Sequence, residues 1–115
     1  MNSLPTQIPE VLRSQAVFLP GAREGAAAWP REEALAVVES LKGTTVPVVE
    51  IVLFAPVMRG FMLTGLPWST ERRRNEADAD FARRSRAGAA AFINGCERDD
   101  ATLFSLTFPV RKDAA

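Results

Sequence analysis

Glu50 sits inside the run Val46-Pro47-Val48-Val49-Glu50-Ile51-Val52-Leu53-Phe54, where every neighbour but the proline is an apolar strand former. A fully buried, unpaired carboxylate costs enough to neutralise itself, so Glu50 must find an arginine or meet water. Two readings are open. Either the strand has a partly wet face and Glu50 points outward, or the acid is poised at a groove or partner surface. The triplet Arg72-Arg73-Arg74 is the second chemical feature, with Glu71, Glu76, Asp78 and Asp80 around it. Acids this close, and no aromatic residues between the bases, argue against a nucleic-acid patch. What remains is a solvated helix lead-in with local ion pairs, or a charged docking surface for a protein. Trp68 precedes this segment. It anchors its loop to the core, or it is the half-exposed aromatic that dominates an interface. Glu76, Asp78 and Asp80 make a poor metal cage, because positions two apart on a helix point away from each other.

The absences narrow the chemistry further. The sequence has no His and no Tyr, which removes the commonest general base and metal ligand together. Its single cysteine, Cys96, excludes an internal disulfide and a cysteine-based zinc site. No phosphate-binding loop, dinucleotide fingerprint, nucleophile elbow or zincin spacing occurs. The expectation is therefore a binding protein, with no catalytic residues, cofactor or metal. A small enzyme or nucleotide-handling domain built on Glu50 and Arg72 is the alternative from another class. A homodimeric structural module is a third. Fourteen basic residues balance fourteen acidic ones, so nucleic acid is not the expected partner. The longest apolar stretch is broken by Pro47, Glu50 and Pro56 and falls far short of a membrane span. Met1 to Pro5 carry no basic segment leading into an apolar one, and a cytoplasmic location is expected.

These groups must be positioned by a small scaffold. A chain of 115 residues has room for a single domain, 1–115, with flexible ends at about 1–4 and 111–115. A short helix is expected at about 9–14, then an extended piece at 15–19 and a turn at Pro20-Gly21. Residues 21–28 read as small and flexible, with Trp29 a staple over the next helix. That helix spans 30–42, its stripe Ala34, Val37, Val38 and Leu41 at core-facing spacing and Gly43 as its stop. An interior strand is expected at 46–54, ended by Pro56. A tight connection at 57–59 leads to a second strand at 60–64, and Gly65–Trp68 follow as a loop. The second main helix runs from about 75 to 93, capped by Asn75, with Phe81, Ser85, Gly88, Ala89 and Phe92 inward. A charged turn at 97–100 leads to a last strand at 102–110, placing Phe104, Leu106 and Phe108 on one face. The fold class is α+β: a mainly antiparallel sheet of three to four strands with two main helices packed on it.

The order of these features resembles a family of bacterial immunity proteins, immunity protein 40. Ile8-Pro9 leads to Leu12, Gly21 precedes Glu24-Gly25-Ala26, and Glu33-Ala34-Leu35 lies in the helix. A hydrophobic strand carrying an acid, here Glu50, follows. Then come Trp68, the run Phe81–Ser85 through Ala89 to Phe92-Ile93, and the closing strand Leu103–Phe108. The family's Gly-Gly-Asp falls at Val48-Val49-Glu50, so only the acid is kept. The resemblance implies a cytoplasmic protein that binds a cognate toxin domain and occludes its active site or an essential surface. Its partner-binding residues would then be Glu50, Trp68, Arg72, Arg73, Arg74, Glu76, Asp78 and Asp80, with interleaved charge selecting the partner.

Overall fold

The computed structural model describes residues 4–19, 25–96 and 101–109. In chain order it forms α1 (Glu10–Ser14), β1 (Ala26–Pro30), α2 (Arg31–Ser40), β2 (Glu50–Val57), β3 (Gly60–Ser69), α3 (Asp78–Gly95) and β4 (Leu103–Thr107). The strands make one antiparallel sheet in the order β1-β4-β2-β3, and the expected α+β class holds. The turn at Pro20-Gly21 and the charged turn at 97–100 lie outside the described residues.

Helix α2 forms where its stripe requires it. Ala34, Val37, Val38 and Leu41 are all buried, and Pro30 sits just ahead of the first turn, where a missing N–H costs nothing. They meet Ile51, Leu53, Phe104 and Leu106 from the sheet, and Ala89 and Ile93 from α3, in one core. The opposite sheet face carries a smaller cluster of Leu19, Ala28 and Leu103, with Val17 and Phe54 packed against it.

Five expectations need correction. Residues 26–30 are strand β1, not flexible chain, and Trp29 is fully buried in it, opposite Phe104. The run Ala26-Ala27-Ala28 has weak β propensity, but all three alanines are buried, so both faces of β1 are covered. Trp29 donates its indole N–H to the Leu12 carbonyl at 2.8 Å, tying α1 to the sheet.

The strand expected at 46–54 is shifted to 50–57. Ahead of it, Val49 still bonds to Thr107 and Thr70, but the backbone groups of Thr44, Val46 and Val48 are taken by α3. The Val48 N–H donates to Ser85 Oγ at 3.1 Å, and Arg86 donates to the carbonyls of Thr44 and Val46, each at 2.9 Å. Pro56 does not end β2. Odd-numbered residues 51 to 57 turn their polar groups toward β3, so the ring nitrogen of Pro56 faces the side where β4 has already stopped, at Leu103 opposite Phe54.

Strand β3 continues to Ser69, so Trp68 lies in a strand and not in a loop. Its register with β2 slips between Ile51 and Leu53, which pair with Trp68 and Thr64. Gly65, Leu66 and Pro67 form the bulge, and Gly65 supplies the positive φ of 70° that it turns on. Helix α3 starts at Asp78 rather than 75. Asn75 is in the left-handed region at φ 66°, a turn position instead of a cap.

Candidate partner-binding surface

Beyond Phe54, β2 has lost β4 as a neighbour, yet it continues with β3 to the two-residue turn Met58-Arg59. Residues 55–64 thus form a two-stranded arm projecting past the rest of the sheet. Cross-strand pairs share a face. Pro56 and Phe61, with Phe54 and Leu63, carry the small apolar cluster outward on the face away from the helices. Ala55 and Met62 lie on the other face. Phe61, Met62 and Leu63 are exposed, Met58 at the tip is 98% accessible, and Leu66 in the bulge is 85% accessible. Scattered apolar residues on a surface need no explanation, but six of them, Val57 included, gathered on the arm and its adjoining bulge mark an interaction site.

The arm is also a sheet edge. The other edge, β1, is partly closed by Val17, which exchanges two backbone bonds of 2.9 Å with Ala28. Among the described residues, no backbone bond reaches the outer side of β3 along Gly60–Thr64. Edges are usually protected by charge, proline or a bulge. Here Pro67 and the bulge interrupt the edge beyond Thr64, while Gly60–Thr64 contains no charged residue at all.

The base of the arm is anchored differently. Trp68 is half-buried, its ring 6.3 Å from Phe92 in a stacked arrangement. A Cβ at Gly88 would lie 2.9 Å from the Trp68 ring, so the missing side chain on α3 is what lets the indole lie against the helix. Glu50 opens β2, half-buried, between Ser69 and Thr107.

After Ser69 the chain enters the charged segment, and most of its charge is committed internally. Arg84, from the second turn of α3, grips Glu76 with two bonds, Nε to Oε2 at 2.9 Å and Nη2 to Oε1 at 2.8 Å. The same guanidinium donates to Thr70 Oγ1 at 3.0 Å and to the Glu71 carbonyl at 2.8 Å. The Arg73 backbone N–H donates to Glu76 Oε1 at 2.9 Å. These bonds, Arg84 first and the Arg73 amide second, hold the Glu76 carboxyl at about 2, well below its ordinary 4.5. The same pairing raises the pKa of Arg84. Arg72 pairs with Asp78 and lies 5.7 Å above the Phe81 ring, and Arg83 pairs with Asp80 at 3.1 Å. The exposed side chains of Arg73 and Arg74, like Arg59 at the arm tip, make no ion pair among the described residues.

The sequence-derived residues therefore divide. Arg72, Glu76, Asp78 and Asp80 are brought together as a self-paired loop. Trp68 is packed on α3, and Glu50 lies beside it at the base of the sheet. Sequence reasoning missed Arg84 as the organiser of the loop, and it missed the arm. The signal for the arm was present in Gly60–Leu66, where both alternating sets of residues include large apolar side chains. A crevice of about 210 Å³ between α2 and α3 is lined by Val38, Lys42, Arg83 and Arg86 among others, and one of about 350 Å³ lies between residues 42–45 and α3. Neither Glu50 nor Arg72 lines them.

The architecture defines the class: a small α+β protein whose four-stranded antiparallel sheet carries helices on one face and exposes an apolar edge arm. The sequence pattern of immunity protein 40 matches residues 19–108, nearly the whole chain, and the chain belongs to that family. It is accordingly an immunity protein, a class whose role is to bind a cognate toxin. Nothing among curated proteins and nothing among solved structures matches the chain. No helix among the described residues is long and apolar enough to cross a membrane.

Proposed function

We propose that this chain neutralises a toxic effector domain by binding it through the β2–β3 arm and covering its active site. The observation that carries the reading is the exposed apolar arm, where most of the exposed large apolar side chains among the described residues are gathered and whose outer edge none of those residues covers. The arm supplies the anchor. Glu50, Trp68 and the segment holding Arg72, Arg73, Arg74, Glu76, Asp78 and Asp80 flank its base as a rim. Fully desolvated apolar and aromatic anchors carry most of the affinity at an interface, often ~2 kcal/mol or more each. Rim charges act mainly on encounter rate and choice of partner. Because the neutralising step is occlusion, the chain needs no reacting group of its own. The test is co-expression in a bacterial host with the effector domain encoded beside this gene, together with titration calorimetry of the two purified chains. Survival of the cells and a stoichiometric complex are expected. Equal killing with and without this chain, and no heat of binding, would contradict the reading.

A further inference from the structure

The register of the arm says which of its backbone groups are spoken for. Residues flanking a two-residue hairpin turn form a hydrogen-bonded pair, and such pairs alternate along an antiparallel ladder. With Val57 opposite Gly60, Ala55 opposite Met62 and Leu53 opposite Thr64, the amides and carbonyls of Gly60, Met62 and Thr64 face β2. Those of Phe61 and Leu63 face outward, on an edge that no described residue covers. The arm therefore offers two donors and two acceptors at strand spacing, with apolar side chains above and below them. That is the geometry an added strand requires.

We propose that the toxin docks by strand addition, an extended segment of the effector domain pairing antiparallel or parallel with Gly60–Thr64 of β3. This rests on the toxin-binding reading above and specifies its mode. Charge selects the partner. Arg59 stands just before the open edge, and Arg73 and Arg74 follow β3, which ends at Ser69; none of the three makes an ion pair among the described residues. A complementary strand is therefore apolar in its middle and carries carboxylates at its flanks. A second copy of this chain fits poorly. Self-pairing along Gly60–Thr64 brings together two copies of a strand that follows Arg59 and holds no carboxylate, so nothing in it answers the arginine. A strand with acidic flanks supplies that charge.

The experiment is amide hydrogen exchange, residue by residue, on this chain alone and in complex with the effector domain encoded beside it. Strand addition predicts that Phe61 and Leu63, fast-exchanging in the free protein, slow by about tenfold or more on binding. Met62 and Thr64, bonded to β2 already, should change little by comparison. Leu63→Pro removes an outward N–H without taking a bond from β2, whereas Leu63→Ala keeps the N–H and trims the side chain. Leu63→Pro should bind about tenfold or more weaker than Leu63→Ala, with a partner carbonyl left unsatisfied. Unchanged protection of Met62 and Thr64 in free Leu63→Pro shows that the hairpin persists. If it does not, exchange on the unsubstituted chain decides alone. A complex that forms while Phe61 and Leu63 keep exchanging freely overturns strand addition and leaves toxin binding standing. Protection that rises with the concentration of this chain alone assigns the edge to a second copy and overturns the proposal. Absence of any complex overturns both readings.

Discussion

The charged segment after Ser69 and the apolar arm before it lie on the same strand or next to it, and they treat their surroundings in opposite ways. In the charged segment, a carboxylate, two backbone groups and a hydroxyl are all answered by neighbours, chiefly through Arg84. In the arm, two pairs of backbone groups are answered by nothing among the described residues, and with the bulge it leaves six large apolar side chains exposed. Charge attracts attention in a sequence because isolated charges are costly, yet these charges mostly satisfy one another. The unmet demand is apolar and lies in the backbone. An interaction protein is recognised by what its own fold leaves unsatisfied, and here that is the arm.

Trp68 joins the two regions, and its loss should give the largest effect on stability. Removing an aromatic side chain from a core costs about 3–5 kcal/mol, and a half-buried one at the core's edge about half that. Trp68→Ala should thus lower stability by about 2 kcal/mol in urea denaturation. Gly88→Leu approaches the same contact from the helix side. With a Cβ already 2.9 Å from the ring, added volume should cost about 1–3 kcal/mol. If neither substitution moves the denaturation midpoint, the arm's base is not anchored on α3 and the contrast between the regions collapses.

Much of this arrangement was legible in the sequence. The buried stripe of α2, the inward Phe81, Ser85 and Ala89 of α3, Phe104 and Leu106 of the last strand, and the buried Phe108 just past its end at Thr107 all follow from periodicity. Strand β1 was not legible, because Ala26-Ala27-Ala28 is strand only by virtue of β4 beside it. Pro56 misled for a related reason. A proline ends a central strand but is harmless where the neighbouring strand has already stopped, and the sequence does not say where β4 stops. The candidate site suffered most from this limit. An apolar run is the same string whether it lies in the middle of a sheet or at its edge, so residues 60–64 looked like one more strand. The clamp on Glu76 depends on Arg84 reaching back across a turn set by Asn75, a contact no fixed spacing announces.

Acid should sharpen the comparison. Glu76 has a folded pKa of about 2 against an ordinary 4.5, so its ionised form is the one the fold favours. Its contribution to stability is complete above about 4.5 and is lost as pH falls toward 2. Carboxyl chemical shifts should report a midpoint near 2, and Arg84→Ala should move that midpoint up toward 4.5. Glu76→Gln should remove this part of the acid sensitivity. A Glu76 midpoint at 4.5 in the unsubstituted chain would show that the loop's charges are not committed internally.

The smallest effect is expected where charge is free. Arg73→Glu with Arg74→Glu should leave stability within about 0.5 kcal/mol, since both side chains are exposed and unpaired among the described residues. Association with the effector domain should slow by about three- to tenfold, and its salt dependence should weaken, while dissociation changes little. Stopped-flow mixing at two ionic strengths separates these terms. A change confined to the dissociation rate would place the two arginines inside the interface instead of at its rim.

The central claim is that the arm, and not the charged loop, supplies the affinity. Its most direct test is the dissociation constant of the effector-domain complex for Phe61→Ser with Leu63→Ser, measured beside Arg73→Glu with Arg74→Glu. Both doubly substituted chains should melt close to the unsubstituted protein. The arm pair should weaken binding by about a hundredfold, as expected for the loss of two anchors, and the loop pair by no more than about tenfold. Equal affinity of the arm pair and the unsubstituted chain, with the loop pair impaired, would contradict the account.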